Sequence, residues 1–260
     1  MERAVDRGFW ISWYDLPKES CDQHIAWLHD TYIPTILRKP GVLWGAHFKT
    51  AVTAPGSHMH RTKDPTIPNG SDYVLIFGGE STTAFTKGVD AFRNDAASRL
   101  DRDLSDLDRK MLAMRQGERQ CVLTEEIRVH GPARGAAGDT MPPGPCIQLG
   151  SFNCPRESED QLLAWYSDFR LPAVQEAREF IGARKLLATS GWVKHVIMYE
   201  FLSRDARERV QTEVERHHPD GIAWTTQFIP ALTHAPRSPV LAERIWPPAP
   251  TSPLKDAPRQ

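Results

Sequence analysis

The sequence predicts an α+β protein made of two tandem β-α-β-β-α-β units, and three observations lead there. Ala26-Trp27-Leu28-His29-Asp30-Thr31-Tyr32-Ile33-Pro34 returns as Ala164-Trp165-Tyr166-Ser167-Asp168-Phe169-Arg170-Leu171-Pro172, with Ala, Trp, Asp and Pro in matching places. Pro17-Lys18-Glu19-Ser20 returns as Pro155-Arg156-Glu157-Ser158, again 138 positions on and without a gap. Around both copies the strand-like and helix-like runs follow in the same order. A repeat this long is a duplicated domain rather than a solenoid unit.

Phe9 to Tyr14 is an aromatic, β-favouring run closed by Asp15-Leu16-Pro17, and reads as a first strand. A helix opens at Glu19-Ser20, where Ile25, Leu28, His29, Tyr32 and Ile36 share a stripe at i, i+3/i+4 steps. Pro34 lies inside that pattern, so the helix is expected to kink or end there. Lys39-Pro40-Gly41 stops it, and Val42 to Lys49 is the second strand. Residues 50–71 are rich in Pro, Gly, Ser and Thr and read as a long loop, the kind that is functional or disordered. Asp72 to Gly78 is a third strand, apolar enough to be buried on both faces; Ser81 to about Arg115 is helical and charged; Gln120 to Val129 is a fourth strand.

Gly131 to Pro145 is a Gly/Pro linker. The order then repeats, with Cys146–Phe152 as strand, Glu157 to about Ala177 as helix, and Ile181–Ala188 and Lys194–Phe201 as strands. Val74 matches Val196 at a spacing of 122, so the second half lacks most of the 50–71 loop. A charged helix (Ser203–His218) and a strand (Ile222–Pro230) complete it, and the chain from Ala235 onward is a Pro-rich, extended tail. The expected division is 1–130, linker 131–145, 146–234 and tail 235–260. Each half is the ferredoxin-like split βαβ unit, and two such sheets can cover one another's bare faces.

A formal charge of −1 gives no nucleic-acid footprint. No apolar run reaches the roughly 18 residues of a membrane span, and no signal-peptide core follows Met1. Cys21, Cys121, Cys146 and Cys154 make no C-x-x-C pair, so reduced thiols in a cytoplasm are expected.

The motif resembles the dimeric α/β-barrel superfamily, specifically its EthD-like members, whose signature runs roughly W-Y-x-x-x-H-[LI]-P, then P-G, then G-x-R-[RK]. This chain offers Trp27-Leu28 with Ile33-Pro34, Pro40-Gly41 and Gly45-Ala46-His47-Phe48; its second half offers Trp165-Tyr166 with Leu171-Pro172 and Gly182-Ala183-Arg184-Lys185. Where relatives carry a pocket His, this chain has Tyr32 and Arg170. The resemblance implies an intrachain barrel with a pocket between sheet and helices. It also implies chemistry on small, often aromatic molecules, in many relatives without a cofactor and in two branches with haem.

His29 and Tyr32 share the helix stripe and are the expected acid/base and hydrogen-bonding partner. Asp30, which recurs as Asp168, lies beside them; recurrence in both halves favours a structural role. His58 and His60 sit in the loop that only the first half owns, where function concentrates. Trp44, His47, Tyr73, Asp30, Arg170 and Arg184 are candidate substrate contacts, as aromatic walls or polar and carboxylate partners. The expectation is a cofactor-free lyase or isomerase, without a metal, acting on a small aromatic or polyketide-like substrate; a homodimer is compatible with it. Two alternatives stand beside it. One is a metal or haem enzyme using His47, His58 and His60, or His195; the other is a protein that binds an aromatic ligand without turnover.

Overall fold

The computed structural model describes residues 5–51, 59–86, 104–135 and 141–248. In strand β1 (Gly8–Asp15) the period-2 alternation puts Phe9, Ile11 and Trp13 on one side of the sheet and Trp10 and Tyr14 on the other. β1 lies between β3 (Tyr73–Gly79) and β4 (Gln116–His130), and β3 pairs with β2 (Val42–Ala51), so the first half runs β4-β1-β3-β2. The second half contributes β5 (Cys146–Asn153), β6 (Phe180–Ser190), β7 (His195–Phe201), a two-residue β8 (Thr233–His234) and β9 (Val240–Trp246). Its order is β9-β5-β7-β6, with β8 attached to β5. Pairings β2–β9 and β4–β6 join the halves, closing an eight-stranded antiparallel barrel. Closure leaves no unpaired edge among these eight strands.

The lumen is a core, not a channel. Phe9, Ile11, Trp13, Phe48, Ile76 and Met198, all essentially inaccessible to solvent, are among the side chains that fill it. Asp6 is fully buried there, accepting from Trp44 Nε1 (2.8 Å) and pairing with Arg128 (2.6 Å) and Arg184 (3.3 Å). Such a charge is tolerable only because it is paired.

Helices cover the outside. α1 (Cys21–Trp27) passes through a π-helical segment (Leu28–Tyr32) into α2 (Ile33–Leu37). The expected break at Pro34 is resolved by that segment. The Ile33 amide donates to the Leu28 carbonyl, five residues back, and the widened turn carries the helix past a proline that has no amide hydrogen to give. In the second half α4 (Glu159–Ala164), a π segment (Trp165–Arg170) and α5 (Leu171–Gln175) do the same ahead of Pro172, with Leu171 donating to Tyr166. The short α3 (Asp106–Leu112) is capped by Ser105 in a capping box. Residues 87–103 of the expected helical region lie outside the described residues.

Two expectations are corrected. Ile222–Pro230 is not a strand: α7 (Pro219–Phe228) follows α6 (Arg204–His217), with Pro219 in its first turn and the hydroxyls of Thr225 and Thr226 donating to carbonyls four residues back. The last strand is β9, inside the supposed tail, where Val240–Trp246 is a proline-free window between Pro239 and Pro247.

Strand pairing carries the spacing of the sequence repeat. Ala46 and Ile11 both oppose Ile76, while Arg184 and Leu149 both oppose Met198. Position 47 thus has its counterpart at 185, so the motif alignment of Gly45-Ala46-His47 with Gly182-Ala183-Arg184 is one residue out of register.

Candidate active site

On the helix-covered face of the first half, a hydrogen-bonded chain runs inward from the surface. His29, half-buried on the π segment, places Nε2 2.9 Å from Nδ1 of His47 on β2. His47 is fully buried, and its Nε2 lies 2.9 Å from the Tyr14 hydroxyl on β1. The order of elements explains the meeting. β1 and β2 flank β3, His47 and Tyr14 point to the same side, and the π segment lies across that side.

Burial is the first cause of the charge states here. It holds His47 well below the ordinary imidazole value, with His29, Arg115 and His24 adding repulsion. Burial and then Arg115 push His24 down to about 4. His29 is lowered too, through burial, against the pull of Asp30. Burial raises the Tyr14 phenol, so it stays protonated at neutral pH. A neutral His47 has one donor and one acceptor nitrogen, so the chain can run either way. With Tyr14 donating outward to His47 Nε2, His47 donates from Nδ1 to His29, whose free Nδ1 carries the hydrogen. Reversed, His29 donates through Nε2, and Nδ1 offers a lone pair. The relay can therefore present His29 to a substrate as acid or as base.

Aromatic rings line this relay. Tyr73 stacks on His47 at 5.4 Å, with its hydroxyl 3.0 Å from Cys21 Sγ, and Trp246 of β9 lies 6.2 Å from the His29 ring. Tyr32 is buried 5.2 Å from Trp27, whose indole donates to Asp108. Beneath Tyr14 the Arg115 guanidinium sits 4.3 Å above the ring centroid and donates to Glu118 (2.8 Å), which also accepts from Ser12 (2.5 Å).

The structure thus gathers His29, His47 and Tyr73, with Asp30 exposed next to His29, and buries Tyr32 against Trp27 and Phe77 in the adjoining core. Trp44 faces the lumen, on the opposite side of the sheet, as does Arg184, which pairs with Asp6 and Glu200. Arg170 belongs to the second half, against Tyr199 and Gln211. His60 is exposed, its carbonyl bound by the His234 amide (2.8 Å), and His58 lies outside the described residues. Sequence reasoning missed Tyr14, His24, Arg115, Glu118 and Trp246. The alternation of β1 could have found Tyr14, because Phe9, Ile11 and Trp13 commit the odd positions to the lumen.

Among the described residues, which exclude His58, the ligands proposed for a metal or haem are not assembled. Both His47 nitrogens are engaged within the relay. His195 is stacked on Phe152 with Nε2 3.1 Å from Glu159, and no group of three or more His, Cys, Asp or Glu among the described residues could hold an ion. A cavity of about 810 Å³ lies away from the relay, where the end of β2 and Met59 and Arg61 of the long loop meet β9 and the start of α6. The loop therefore borders a cleft, and the proton-transfer groups do not line it.

No family profile matches the chain, and no curated protein sequence matches it. Solved structures do. An anthrone oxidase-like protein superposes with a TM-score of 0.60 at 9% identity, covering 94% of this chain and 92% of the other. A monooxygenase-like protein of Fusobacterium nucleatum gives 0.55 at 10% identity over 94% of each chain. A chlorite dismutase-like protein gives 0.54 at 7%, covering 93% of this chain and 95% of the other. The fold is that of the dimeric α/β barrels. At such identities the likeness extends to the fold alone. Among the described residues, no helix is long and apolar enough to cross a membrane.

Proposed function

We propose that this dimeric α/β-barrel protein is an enzyme that transfers protons without a cofactor on a small aromatic or polyketide-like molecule. The observation that carries the reading is the His29–His47–Tyr14 chain, which links a half-exposed imidazole to a buried phenol through bonds of 2.9 Å. His29 Nδ1 takes a proton from an activated carbon or hydroxyl of the substrate, and the bonding pair stays on the substrate as a conjugated carbanion or phenolate. In an elimination that pair expels a leaving group from the neighbouring carbon. In a decarboxylation His29 takes the proton of the acid or hydroxyl group, carbon dioxide departs and leaves its bonding pair on the substrate carbon, and His29 returns the proton there. In an isomerisation the proton returns to another atom. Trp246 supplies apolar surface beside the base, and Tyr32 packs in the buried layer behind it against Trp27 and Phe77. A positioned acid/base supplies about 10²–10⁴ in rate, so an activated substrate is required.

The same reading takes the two halves as tandem ferredoxin-like copies, 1–130 and a second unit from 146 that now includes β9, joined by the linker 131–145. At the matching registers the second half has Phe152, Lys185 and Ser167 for Tyr14, His47 and His29, which supports catalysis in the first half and a scaffold role for the second. The four free cysteines fit a reducing cytoplasm. A site within one closed barrel needs no residue from a second copy, so a homodimer would be an assembly matter rather than a catalytic one.

Anthrone, chosen because one structural neighbour is an anthrone oxidase-like protein, is a suitable probe because its methylene is acidified by two rings and a carbonyl. Deuterium exchange at that carbon, followed by NMR, should be accelerated by the protein and lost in His29→Gln. Exchange at the uncatalysed rate for anthrone and for a set of β-keto acids would remove the proposal. The cavity remote from the relay favours a second reading, ligand binding without turnover. Saturable tryptophan quenching by these probes without exchange would decide for it.

A further inference from the structure

We infer that Arg115 is the positioning residue of the relay: its buried guanidinium fixes the Tyr14 ring and sets a positive charge beside the middle imidazole, so that a proton taken from substrate stops at His29. The inference rests on the relay described under the proposed function. Its own support is geometric. Arg115 leads into β4 from the turn after α3, and its side chain is 1% exposed. It is held on two sides, by the Tyr14 ring at 4.3 Å and by Glu118 at 2.8 Å, and its Cζ is also 5.9 Å from the Tyr32 ring. Glu118 is fixed in turn by Ser12, two residues before Tyr14 on the same face of β1. Guanidinium, carboxylate, hydroxyl and strand thus close a ring around the phenol that ends the relay.

Such a device costs stability. The Nε and Nη2 atoms of Arg115 are buried without a hydrogen-bond partner among the described residues, a situation proteins ordinarily avoid. A cation over an aromatic face is favourable, but a methionine would fill the space with no unpaired donors. What methionine cannot supply is charge. His47 is bonded to His29 from the π segment and Tyr14 from β1 and stacked on Tyr73 from β3, with His24 of α1 and Arg115 of the turn also acting on its charge; Cys21 of α1 is bonded to Tyr73, and Glu118 of β4 to Arg115. Of these, Arg115 is the permanent cation, and it disfavours protonation of His47 and His24 alike. A protonated His47 would donate from both nitrogens and break the relay's ability to reverse.

Imidazole nitrogen NMR shifts of the intact protein, titrated against pH, test this without any substrate. In the wild type His47 should stay neutral through the range in which His29 protonates. In Arg115→Gln the His47 midpoint should rise by about one unit or more, and Arg115→Lys should restore it in large part. Glu118→Gln, which keeps the guanidinium and removes its counter-charge, should move the midpoint the other way. Opposite shifts from the two variants are beyond a purely packing role, and Glu118→Gln keeps the question open to test if Arg115→Gln does not fold. An unmoved His47 midpoint in either folded variant, or an Arg115→Lys that behaves like Arg115→Gln, would overturn the inference. Failure of the anthrone exchange assay alone would overturn the proposed function and leave the titration result standing.

Discussion

Replacing His29 by Gln separates chemistry from stability more cleanly than any other change in the site. The side chain is half-buried on the π segment, so the substitution opens no closed cavity. A glutamine amide has both a donor and an acceptor to offer His47 Nδ1, now bonded at 2.9 Å, so the buried imidazole keeps a partner. Stability should therefore move by no more than about 0.5 kcal/mol, the ordinary range for substitutions away from packed or unpaired groups. The amide has no lone pair basic enough to take a proton near neutral pH. If His29 is the base, the rate falls by about 10²–10⁴, which corresponds to roughly 3–5 kcal/mol of transition-state stabilisation. The assay pairs deuterium exchange into anthrone with urea unfolding of the same preparations. Because burial lowers the His29 value, the wild-type rate should rise with pH through a midpoint below that of an ordinary histidine and stay level above it. His29→Gln should show no such limb. A variant that exchanges within threefold of wild type, or one whose loss of rate follows its loss of fold, refutes the assignment.

Other outcomes follow from the same geometry. Tyr14→Phe leaves His47 Nε2 unpaired in a fully buried place, so urea unfolding should show a loss of about 1–3 kcal/mol, while exchange falls less than in His29→Gln because the base remains. Asp6→Ala removes the carboxylate shared by Arg128, Arg184 and Trp44 in the lumen, and should cost about 3–5 kcal/mol or prevent folding. Acid should destabilise the protein below about pH 6.5 as the unfolded chain takes protons that the folded one refuses. His24 and His234, each held to about 4 chiefly by burial, contribute stability that is present above the unfolded value and lost as pH falls to the folded one, about 3 kcal/mol apiece. A flat unfolding free energy between pH 7 and 4.5 would contradict that account.

Strand-forming stretches were legible because hydrophobic pattern and turn chemistry agreed in them. Phe9–Tyr14, Val42–Lys49 and Asp72–Gly78 each hold β-favouring side chains between Pro, Gly or Asp stops, and the barrel places them as β1, β2 and β3. The last strand was not legible. Ile222–Phe228 is short, apolar and rich in Thr, which reads as strand, yet packing of Phe228 and Trp224 against Trp165 and its neighbours makes it helix. Val240–Trp246 was hidden by the prolines around it, whose effect on the backbone ends where the strand begins. In the site, His29 and Tyr32 were visible from their helical stripe. Tyr14 and Arg115 were not, because their role arises from strand order: β1 beside β3, and the turn before β4 folded back beneath it.

The two halves then show why the hydrogen-bonded relay forms in one of them. Phe152 takes the place of Tyr14 and stacks on His195, which occupies the register of Tyr73. Lys185 takes the place of His47, but it is tied to Glu126 above the Tyr166 ring, and a tethered ammonium has donors only and relays nothing. Leu162, on α4, buries an apolar side chain where α1 buries His24. The changes at the Tyr14, His24 and His47 positions each remove an acceptor, so the second half cannot build the hydrogen-bonded chain that backs His29 in the first. The first half keeps an acceptor at every step from His29 to Tyr14 and tolerates unpaired donors on Arg115 beside them. Sheets of the same order, covered by helices with the same π turn, thus part company at five side chains, the counterpart of His29 being Ser167. Converting Lys185 to His and Phe152 to Tyr together should therefore seat a hydrogen bond between them at the β5–β7–β6 register without moving the barrel. Imidazole NMR would show it as a buried, neutral histidine. A titrating, solvent-exchanging one would mean that strand register does not by itself place such a pair.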